Sequence, residues 1–277
     1  SETGIVSNVI HFQYSLGPVI HQIYPSIASK NGGTLLHIDG DHFVATSASS
    51  CKFGEKIVSA TILNNQQLVC TVPQFYAPTD IGVQVSTDGL HFSEDSIHIK
   101  IVERLHVTSL RPSKGPTTGS TLVSVEVKNV TLSNHDDVMC RFGPYQPAPA
   151  HMVDEKRMII ICKTPAAKAS GFVEVEVSVN GGADYSSSFA EYLYTAPVRL
   201  HALSPGKGSI DGGTVVTVQG KNFIDSTALS CSFGNVSVAA HFLSSTALQC
   251  TAPAPRNGPS IEPVMVSVNG HDYVGSG

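Results

Sequence analysis

Hydrophobic and polar residues alternate along several short segments of the chain, and three of these segments end in the same way. They are Val83–Gly89, Val175–Gly181 and Val264–Gly270. An apolar residue at every second position is typical of a β-strand with one buried face. Each segment ends in Asp-Gly or Asn-Gly, a pair that favours a tight hairpin turn in which both residues have positive φ. Each segment is therefore predicted to be a strand followed by a hairpin turn.

The arrangement around these strands occurs three times in the chain. Each copy begins with a proline that is followed by a threonine at constant spacing: Pro25 and Thr34, Pro112 and Thr121, Pro205 and Thr214. The period of about ninety residues is the size of one β-sandwich domain. No segment has sustained helical periodicity, and Gly and Pro separate the short apolar runs. Each copy is therefore predicted to be an all-β sandwich.

Two further motifs complete each copy, Cys-x-Phe-Gly and then Cys-x-x-Pro. They lie at Cys51–Gly54 and Cys70–Pro73, Cys140–Gly143 and Cys162–Pro165, and Cys231–Gly234 and Cys250–Pro253. Together with the Pro-x-x-Gly and Gly-Gly-Thr elements, this pattern resembles the IPT/TIG immunoglobulin-like domain. The resemblance implies an all-β fold of three tandem immunoglobulin-like β-sandwich domains in an elongated array. Such arrays occur in the ectodomains of plexins, the Met and Ron receptors, fibrocystin-type proteins and social-amoeba allorecognition proteins.

The repeat landmarks also predict the domain boundaries. Residues 1–4 resemble an expression scar from a secretion vector, residues 5–17 the last strand of a preceding repeat plus a linker, and residues 18–103, 104–196 and 197–277 repeats 1, 2 and 3. Tyr14 precedes Pro25 by the same spacing as Tyr194 precedes Pro205, so Val9–Tyr14 is predicted to be an orphan strand. It either packs on repeat 1 or fills the open edge of repeat 3 in another molecule, because repeat 3 is predicted to lack its last strand. Short links such as 195–198 predict a semi-rigid rod.

Six cysteines occur as one pair per repeat. A zinc site would need clustered Cys-x-x-Cys motifs or suitably spaced histidines, and a redox site an activated Cys-x-x-Cys; the sequence contains neither. One pair per domain fits the disulfide framework of a secreted protein. We therefore predict the disulfides Cys51–Cys70, Cys140–Cys162 and Cys231–Cys250.

Composition and charge restrict the function. Charged residues make up 14% of the chain and the net charge is −5, with no basic stripe for nucleic acid. No apolar run reaches the roughly twenty residues that span a bilayer, so no direct membrane contact is predicted. The sequence has no nucleophile elbow, Walker loop or repeated acidic loop, so no catalytic residue, metal or cofactor is predicted. His21, His106 and His201 lie near the starts of the copies and are interpreted as surface residues, with a pH-sensing contact as the alternative.

Repeat 2 differs from its neighbours in two places. Val127 and Val130 replace the Gly and Phe found at Gly40 and Phe43 in repeat 1, which leaves open whether the bend after that strand persists. The segment between its cysteines is longer and contains three prolines, which predicts an irregular excursion. N-glycosylation is predicted at two sequons, at Asn129 in this repeat and at Asn235 in repeat 3.

These observations favour a non-enzymatic fragment of a cell-surface or secreted ectodomain. It is expected to act as a rigid spacer and as a protein-recognition or cell-adhesion surface, of a homophilic, gamete or allorecognition type. Its partner would be a protein on another cell or in the same complex, including a second copy, in an extracellular, membrane-anchored and glycosylated setting. An accessory module of a secreted carbohydrate-active protein is the alternative, although the sequence contains no Trp for sugar stacking. A DNA-binding protein is disfavoured by the mild negative charge.

Overall fold

The computed structural model describes residues 16–131, 137–154, 156–256 and 258–275, and its backbone contacts divide the chain into two units, 1–103 and 104–277. The predicted scar and the orphan strand Val9–Tyr14 lie outside the described residues. The described residues contain β-strands joined by turns and loops and no α-helix.

The described part of the first unit, from residue 16 onward, contains eight strands. They are β1 (Val19–Tyr24), β2 (Ile27–Ser29), β3 (Leu35–Asp41), β4 (Ser50–Phe53), β5 (Lys56–Asn64), β6 (Gln67–Thr71), β7 (Thr79–Ser86) and β8 (Ile97–Val102). Their order is β1-β3-β6-β5-β4-β7-β8-β2. The first half of β5 pairs with β4 and the second half with β6, so β5 joins two sheets. Leu36 from one sheet and Phe53 from the other are both fully buried in a common core.

The second unit contains repeats 2 and 3. The strands of repeat 2 are β9 (His106–Arg111), β10 (Lys114–Pro116), β11 (Leu122–Lys128), β12 (Met139–Phe142), β13 (Ala148–Pro149), β14 (Met152–Asp154), β15 (Ile159–Lys163), β16 (Gly171–Ser178) and β17 (Ala190–Thr195). Those of repeat 3 are β18 (Arg199–Ser204), β19 (Val215–Lys221), β20 (Ser230–Phe233), β21 (Val236–Ser244), β22 (Ala247–Thr251), β23 (Val264–Ser267) and β24 (Val274–Gly275). Repeat 2 forms the sheets β10-β17-β16-β12-β13 and β14-β15-β11-β9, and repeat 3 the order β18-β19-β22-β21-β20-β23-β24.

The proline-containing segment of repeat 2 interrupts a strand that is continuous elsewhere. Repeat 3 has the nine-residue β21, which pairs with both β20 and β22. Repeat 2 has in its place the short strands β13 and β14, which pair separately with β12 and β15. Pro147 and Pro149 lie in this segment, and proline has no N–H to donate to a strand ladder. The structure therefore has an irregular excursion where the sequence predicted one.

Each repeat has a disulfide between its two layers. Cys51 on β4 bonds Cys70 on β6, Cys140 on β12 bonds Cys162 on β15, and Cys231 on β20 bonds Cys250 on β22. All six cysteines are buried and none is free. By the chain-entropy model, each loop of this length contributes roughly 3 kcal/mol to stability.

The bend after β3, β11 and β19 is the same in the three repeats despite the substitutions in repeat 2. His42, Asn129 and Asn222 occupy equivalent positions with φ of 62°, 61° and 65°. A Cβ on Gly220 would lie 2.4 Å from the carbonyl O of Arg199 and 2.5 Å from Cζ of Phe223, so both the neighbouring strand and the ring favour glycine at this position. Repeat 2 has Val127 at the glycine position and Val130 at the Phe position. The larger side chain at position 127 is therefore not accompanied by an aromatic ring at position 130. The glycine allows close packing at this corner, while the residue two positions later, which has positive φ, makes the bend.

The predicted hairpin turns are wrong in detail. Gly89, Gly181 and Gly270 have positive φ, but the Asp or Asn before each of them does not. In repeat 3 the Asn269 Oδ1 accepts hydrogen bonds from the backbone N–H groups of His271 and Asp272, at 3.0 and 2.8 Å. The side chain therefore caps a longer loop, a common role of Asn and Asp in turns.

Candidate functional site

Side chains at the end of β23 connect repeat 3 to repeat 2. The Asn269 Nδ2 donates to the carbonyl O of Lys114, at 2.9 Å. The Oγ1 of Thr121, a residue only 1% exposed, donates to the Asp272 Oδ2 at 2.5 Å. The Lys114 Nζ donates to Ser226 Oγ at 3.2 Å. Three side-chain contacts thus hold the loops of repeat 3 against the β10–β11 region of repeat 2; we call this set the repeat 2–3 junction.

The covalent link at the junction is short. β17 of repeat 2 ends at Thr195 and β18 of repeat 3 begins at Arg199. The Thr195 Oγ1 donates to the carbonyl O of Gly115, at 3.2 Å, which fixes the end of β17. Pro197 lies within the link, and its ring fixes the backbone angle φ at that residue. Since three residues cannot form a long flexible tether, the link and the side-chain contacts restrict the same motion.

Two buried tyrosines of β17 lie beneath the junction. Tyr192 and Tyr194 are both 0% exposed, and their rings contact each other edge to face at 5.1 Å between centroids. The Tyr194 hydroxyl donates to the carbonyl O of Pro165 at 2.9 Å. The Tyr192 hydroxyl has no hydrogen-bond partner among the described residues. Burial raises the pKa of Tyr192 to about 12 and also raises the pKa of Tyr194.

Repeat 3 has an open groove beside β23. It encloses about 670 Å³. Leu203, Val216, Phe233 and Val264 contribute to its apolar lining, and Ile261 lies on its rim. Ile261 is fully exposed (101% relative exposure), which is unusual for a large apolar side chain. Phe233 and Val264 are half-buried in this groove, whereas their counterparts Phe142 and Val175 of repeat 2 are buried.

The two predicted glycosylation sites are accessible. Asn129 is exposed after β11, and its Nδ2 makes a long contact of 3.4 Å with the carbonyl O of Arg104. Asn235 is exposed in the turn between β20 and β21, and it also lines the repeat 3 groove. Both side chains are positioned where an oligosaccharide could extend into solvent.

The three histidines near the starts of the copies are exposed residues on the first strands of their repeats. His21 Nε2 lies 2.8 Å from Asp41 Oδ2 within the first unit, and this contact lowers the pKa of Asp41. His106 and His201 are exposed on β9 and β18. Among the described residues no three His, Cys, Asp or Glu side chains cluster in a way that could hold a metal ion. No helix in the described part of the chain is long and apolar enough to cross a membrane.

A family model described as "IPT/TIG domain" matches residues 18–101, 105–196 and 197–277. The chain belongs to the IPT/TIG domain family. The predicted resemblance is confirmed, as is the all-β class of tandem immunoglobulin-like sandwiches. The junction is thus a contact between two successive IPT/TIG domains.

Curated relatives of this IPT/TIG chain include plexins. Plexin-B2 of Mus musculus is 22% identical over 216 residues, which are 74% of this chain and 11% of that protein. Plexin-A4 of Danio rerio is 28% identical over 137 residues, 46% of this chain and 7% of that protein. Among solved structures, the Plexin A4 full extracellular region matches with a TM-score of 0.47 and 20% identity, covering 91% of this chain and 23% of that one. The chain therefore spans only a small part of the curated relatives it matches.

Sequence reasoning identified the cysteines and the sequons but not the junction residues. The sequence pattern indicates a turn at Asn269 and a repeat landmark at Thr121, but no contact between their domains. The recurrence of Ser-x-Asn before the loop, at Ser178 and Ser267, is a signal that could have indicated a structured loop. Nothing in the sequence indicates that Asp272 faces Thr121.

Proposed function

We propose that this chain is part of a cell-surface or secreted ectodomain, in which tandem IPT/TIG domains act as a rigid spacer and present a protein-recognition surface. The observation that carries the proposal is the repeat 2–3 junction, where Thr121 binds Asp272 and Asn269 binds the Lys114 carbonyl across two domains. A hydrogen bond to a charged group contributes about 1.5–3 kcal/mol, enough to bias a short link toward one geometry.

Family membership and buried disulfides support an extracellular setting for this chain. Disulfides persist in oxidising compartments, and each repeat has one. We extend this proposal to a membrane anchor elsewhere in the protein and to N-glycans on Asn129 and Asn235. The partner is a protein on another cell or in the same complex. No enzymatic role is proposed, since conformational display of a surface needs no reacting group.

The spacer role is tested by measuring the distance distribution between spin labels in repeats 2 and 3. Exposed His151 and His241 are replaced by labelled cysteines. We expect one narrow distribution for the native chain and a clearly broader one for Asp272→Ala, because the buried Thr121 hydroxyl loses its acceptor. Asp225→Ala is the matched control: this exposed carboxylate on repeat 3 makes no hydrogen bond or ion pair among the described residues. A broad distribution in the native chain would contradict a rigid spacer.

The recognition role is tested separately with beads that bear the chain. We expect them to bind to cells or to one another, and beads that bear serum albumin to remain dispersed. Binding to a glycan array, with no binding to cells or beads, would instead support a carbohydrate-recognising module.

A further inference from the structure

The outward faces of repeats 1 and 2 differ at two cross-strand positions. The pairs β7–β8 of repeat 1 and β16–β17 of repeat 2 have the same register: Ile81 lies opposite Ile99, and Val173 lies opposite Tyr192. These four side chains pack in the cores of their repeats. Because successive side chains of a strand point to opposite faces, the residues next to them point outward. The outward positions of the two repeats can therefore be compared pair by pair.

In repeat 1, the charges at these outward positions compensate one another. Asp80 lies opposite Lys100, and the neighbouring pair is Gly82 and His98. The His98 Nδ1 lies 2.7 Å from the Asp80 Oδ1. Opposite charges on facing strands stabilise a sheet, so repeat 1 satisfies this face by itself.

In repeat 2, the same positions hold an apolar pair and an acidic pair. Phe172 lies opposite Leu193, which we call the apolar pair, and Glu174 lies opposite Glu191, the acidic pair. Phe172 is 66% exposed, and Glu191 is exposed as well. Cβ atoms of directly opposed residues are about 4.5–5.5 Å apart, and two like charges at that separation are destabilising. The acidic pair therefore opposes folding of the free domain.

Two basic side chains on the flanking strands are already engaged. Arg141 on β12 donates to the Glu176 Oε2 through Nε and Nη2, at 2.7 and 2.6 Å, and its guanidinium lies 3.9 Å from the centre of the Tyr185 ring. Lys114 on β10 donates to Ser226 of repeat 3. Within the part of the chain that the structure describes, no hydrogen bond or ion pair reaches either carboxylate of the acidic pair. The charge of this face is thus not compensated by its own domain.

A second exposed ring lies at the end of the same face. Phe189, which is 80% exposed, precedes Glu191 by two residues and has φ of 54°. A bulky residue at positive φ is strained, and such strain is concentrated at functional sites. We call Phe189, the acidic pair and the apolar pair together the β16–β17 face. The predicted glycan on Asn129 would leave this face free, because Asn129 follows β11 of the other sheet.

We propose that the β16–β17 face is the recognition surface of this chain, and that its partner is a protein surface with two Lys or Arg side chains beside an apolar one. Each cation pairs with one carboxylate of the acidic pair, and the apolar side chain packs on Phe172. Binding thus removes a repulsion that the free domain retains, and combines an apolar contact with charge complementarity. The inference rests on the recognition role proposed above and names its surface and the chemistry of its partner.

The first test titrates beads that bear the native chain or a variant against cells and against one another. Glu174→Lys with Glu191→Lys keeps two like charges face to face and inverts their sign, so the strand pair carries the same repulsion. This variant should bind about 100-fold more weakly, because both ion pairs with the partner become repulsive. Glu94→Lys with Asp95→Lys is the control: it alters the net charge equally, at two exposed loop residues of repeat 1, and should bind like the native chain.

The outcomes separate this inference from the recognition role. Native beads that bind, together with a Glu174→Lys with Glu191→Lys variant that binds equally well, overturn the inference and leave the recognition role intact. Equal weakening by this variant and by the control assigns the effect to net charge and also overturns the inference. Native beads that bind neither cells nor one another overturn both.

The second test examines the charge of the partner through salt. Between about 0.02 M and about 0.5 M NaCl, screening should weaken native binding and strengthen the residual binding of Glu174→Lys with Glu191→Lys. Phe172→Ala should weaken binding about tenfold and keep the native salt dependence, because it removes an apolar anchor and no charge. Leu122→Ala, a 46% exposed side chain on the other sheet, is its control. Native binding that is independent of salt would contradict a basic partner.

The third test separates recognition from folding. Glu191→Lys places a cation opposite Glu174, so amides of repeat 2 should exchange about 1.5- to 5-fold more slowly with solvent, while binding falls. A variant that is better protected and binds more weakly has lost recognition without losing its fold. Faster exchange in Glu191→Lys than in the native chain would show that the acidic pair does not oppose folding, and would overturn the inference.

Discussion

Among the described residues, repeats 2 and 3 differ at one strand position, and the difference shows what β17 does in repeat 2. Repeat 2 has β17, whose Tyr192 and Tyr194 lie between its two sheets. Repeat 3 has the same disulfide and the same β19-β22 and β20-β23 pairings but a groove in that place. The disulfide and the first strands thus form a sandwich whose core is open on one side. The last strand fills this side and also provides the short link to the following domain.

The largest expected effect comes from opening repeat 2 in the same way. Tyr192→Ala removes a fully buried ring and should lower the free energy of unfolding of repeat 2 by about 3–5 kcal/mol. The measurement is hydrogen exchange followed by mass spectrometry, which reports each repeat separately in a multidomain chain. Phe172→Ala on the neighbouring strand is the control, since Phe172 is 66% exposed. Similar losses from both substitutions would contradict the assignment of β17 as the strand that closes the core.

A smaller effect is expected when the corner of repeat 3 receives the residue of repeat 2. Gly220→Val places a Cβ about 2.4 Å from the Arg199 carbonyl O and 2.5 Å from Cζ of Phe223. Overpacking of this kind should cost about 2–3 kcal/mol in the free energy of unfolding of repeat 3. Adding Phe223→Val should recover part of that loss, because it removes the ring but not the carbonyl. Gly206→Ala, where no atom lies within 4 Å of the added Cβ, serves as the control. A neutral Gly220→Val would show that the corner can relax.

The smallest effect is a difference in alkaline sensitivity between the two repeats. Burial raises the pKa of Tyr192 to about 12, so this tyrosine holds its proton more tightly in the folded state. The stabilisation is complete below pH about 10, the unfolded pKa, and is lost as the pH rises toward 12. Repeat 2 should therefore lose about 1.4 kcal/mol per pH unit from this residue, relative to repeat 3.

The measurement for this last prediction is urea unfolding of the chain at several pH values, with hydrogen exchange to separate the repeats. Tyr192→Phe should remove the contribution of Tyr192 and keep that of Tyr194, whose pKa is also raised. If the native chain and Tyr192→Phe had the same alkaline dependence, burial of Tyr192 would not be its cause.

Local patterns predicted much of the fold because strand formation, turn composition and cysteine pairing depend on neighbouring residues. The alternation in Val264–Gly270 placed β23, although its turn differs from the hairpin predicted, because the Asn269 side chain caps the loop. The bend at Asn129 could not be predicted from the missing glycine. It depends on φ of that residue and on the sizes of Val127 and Val130 together.

By itself, the sequence determined the threefold repeat, the strand faces and the one cysteine pair in each domain, because periodicity and motif spacing express backbone geometry directly. Only the tertiary structure decided which distant groups meet. Thr121 and Asp272 are 151 residues apart and are joined through two separate domains. Likewise, only the structure showed that Phe233 and Val264 of the repeat 3 groove are half-buried, because burial depends on every element that packs around a site.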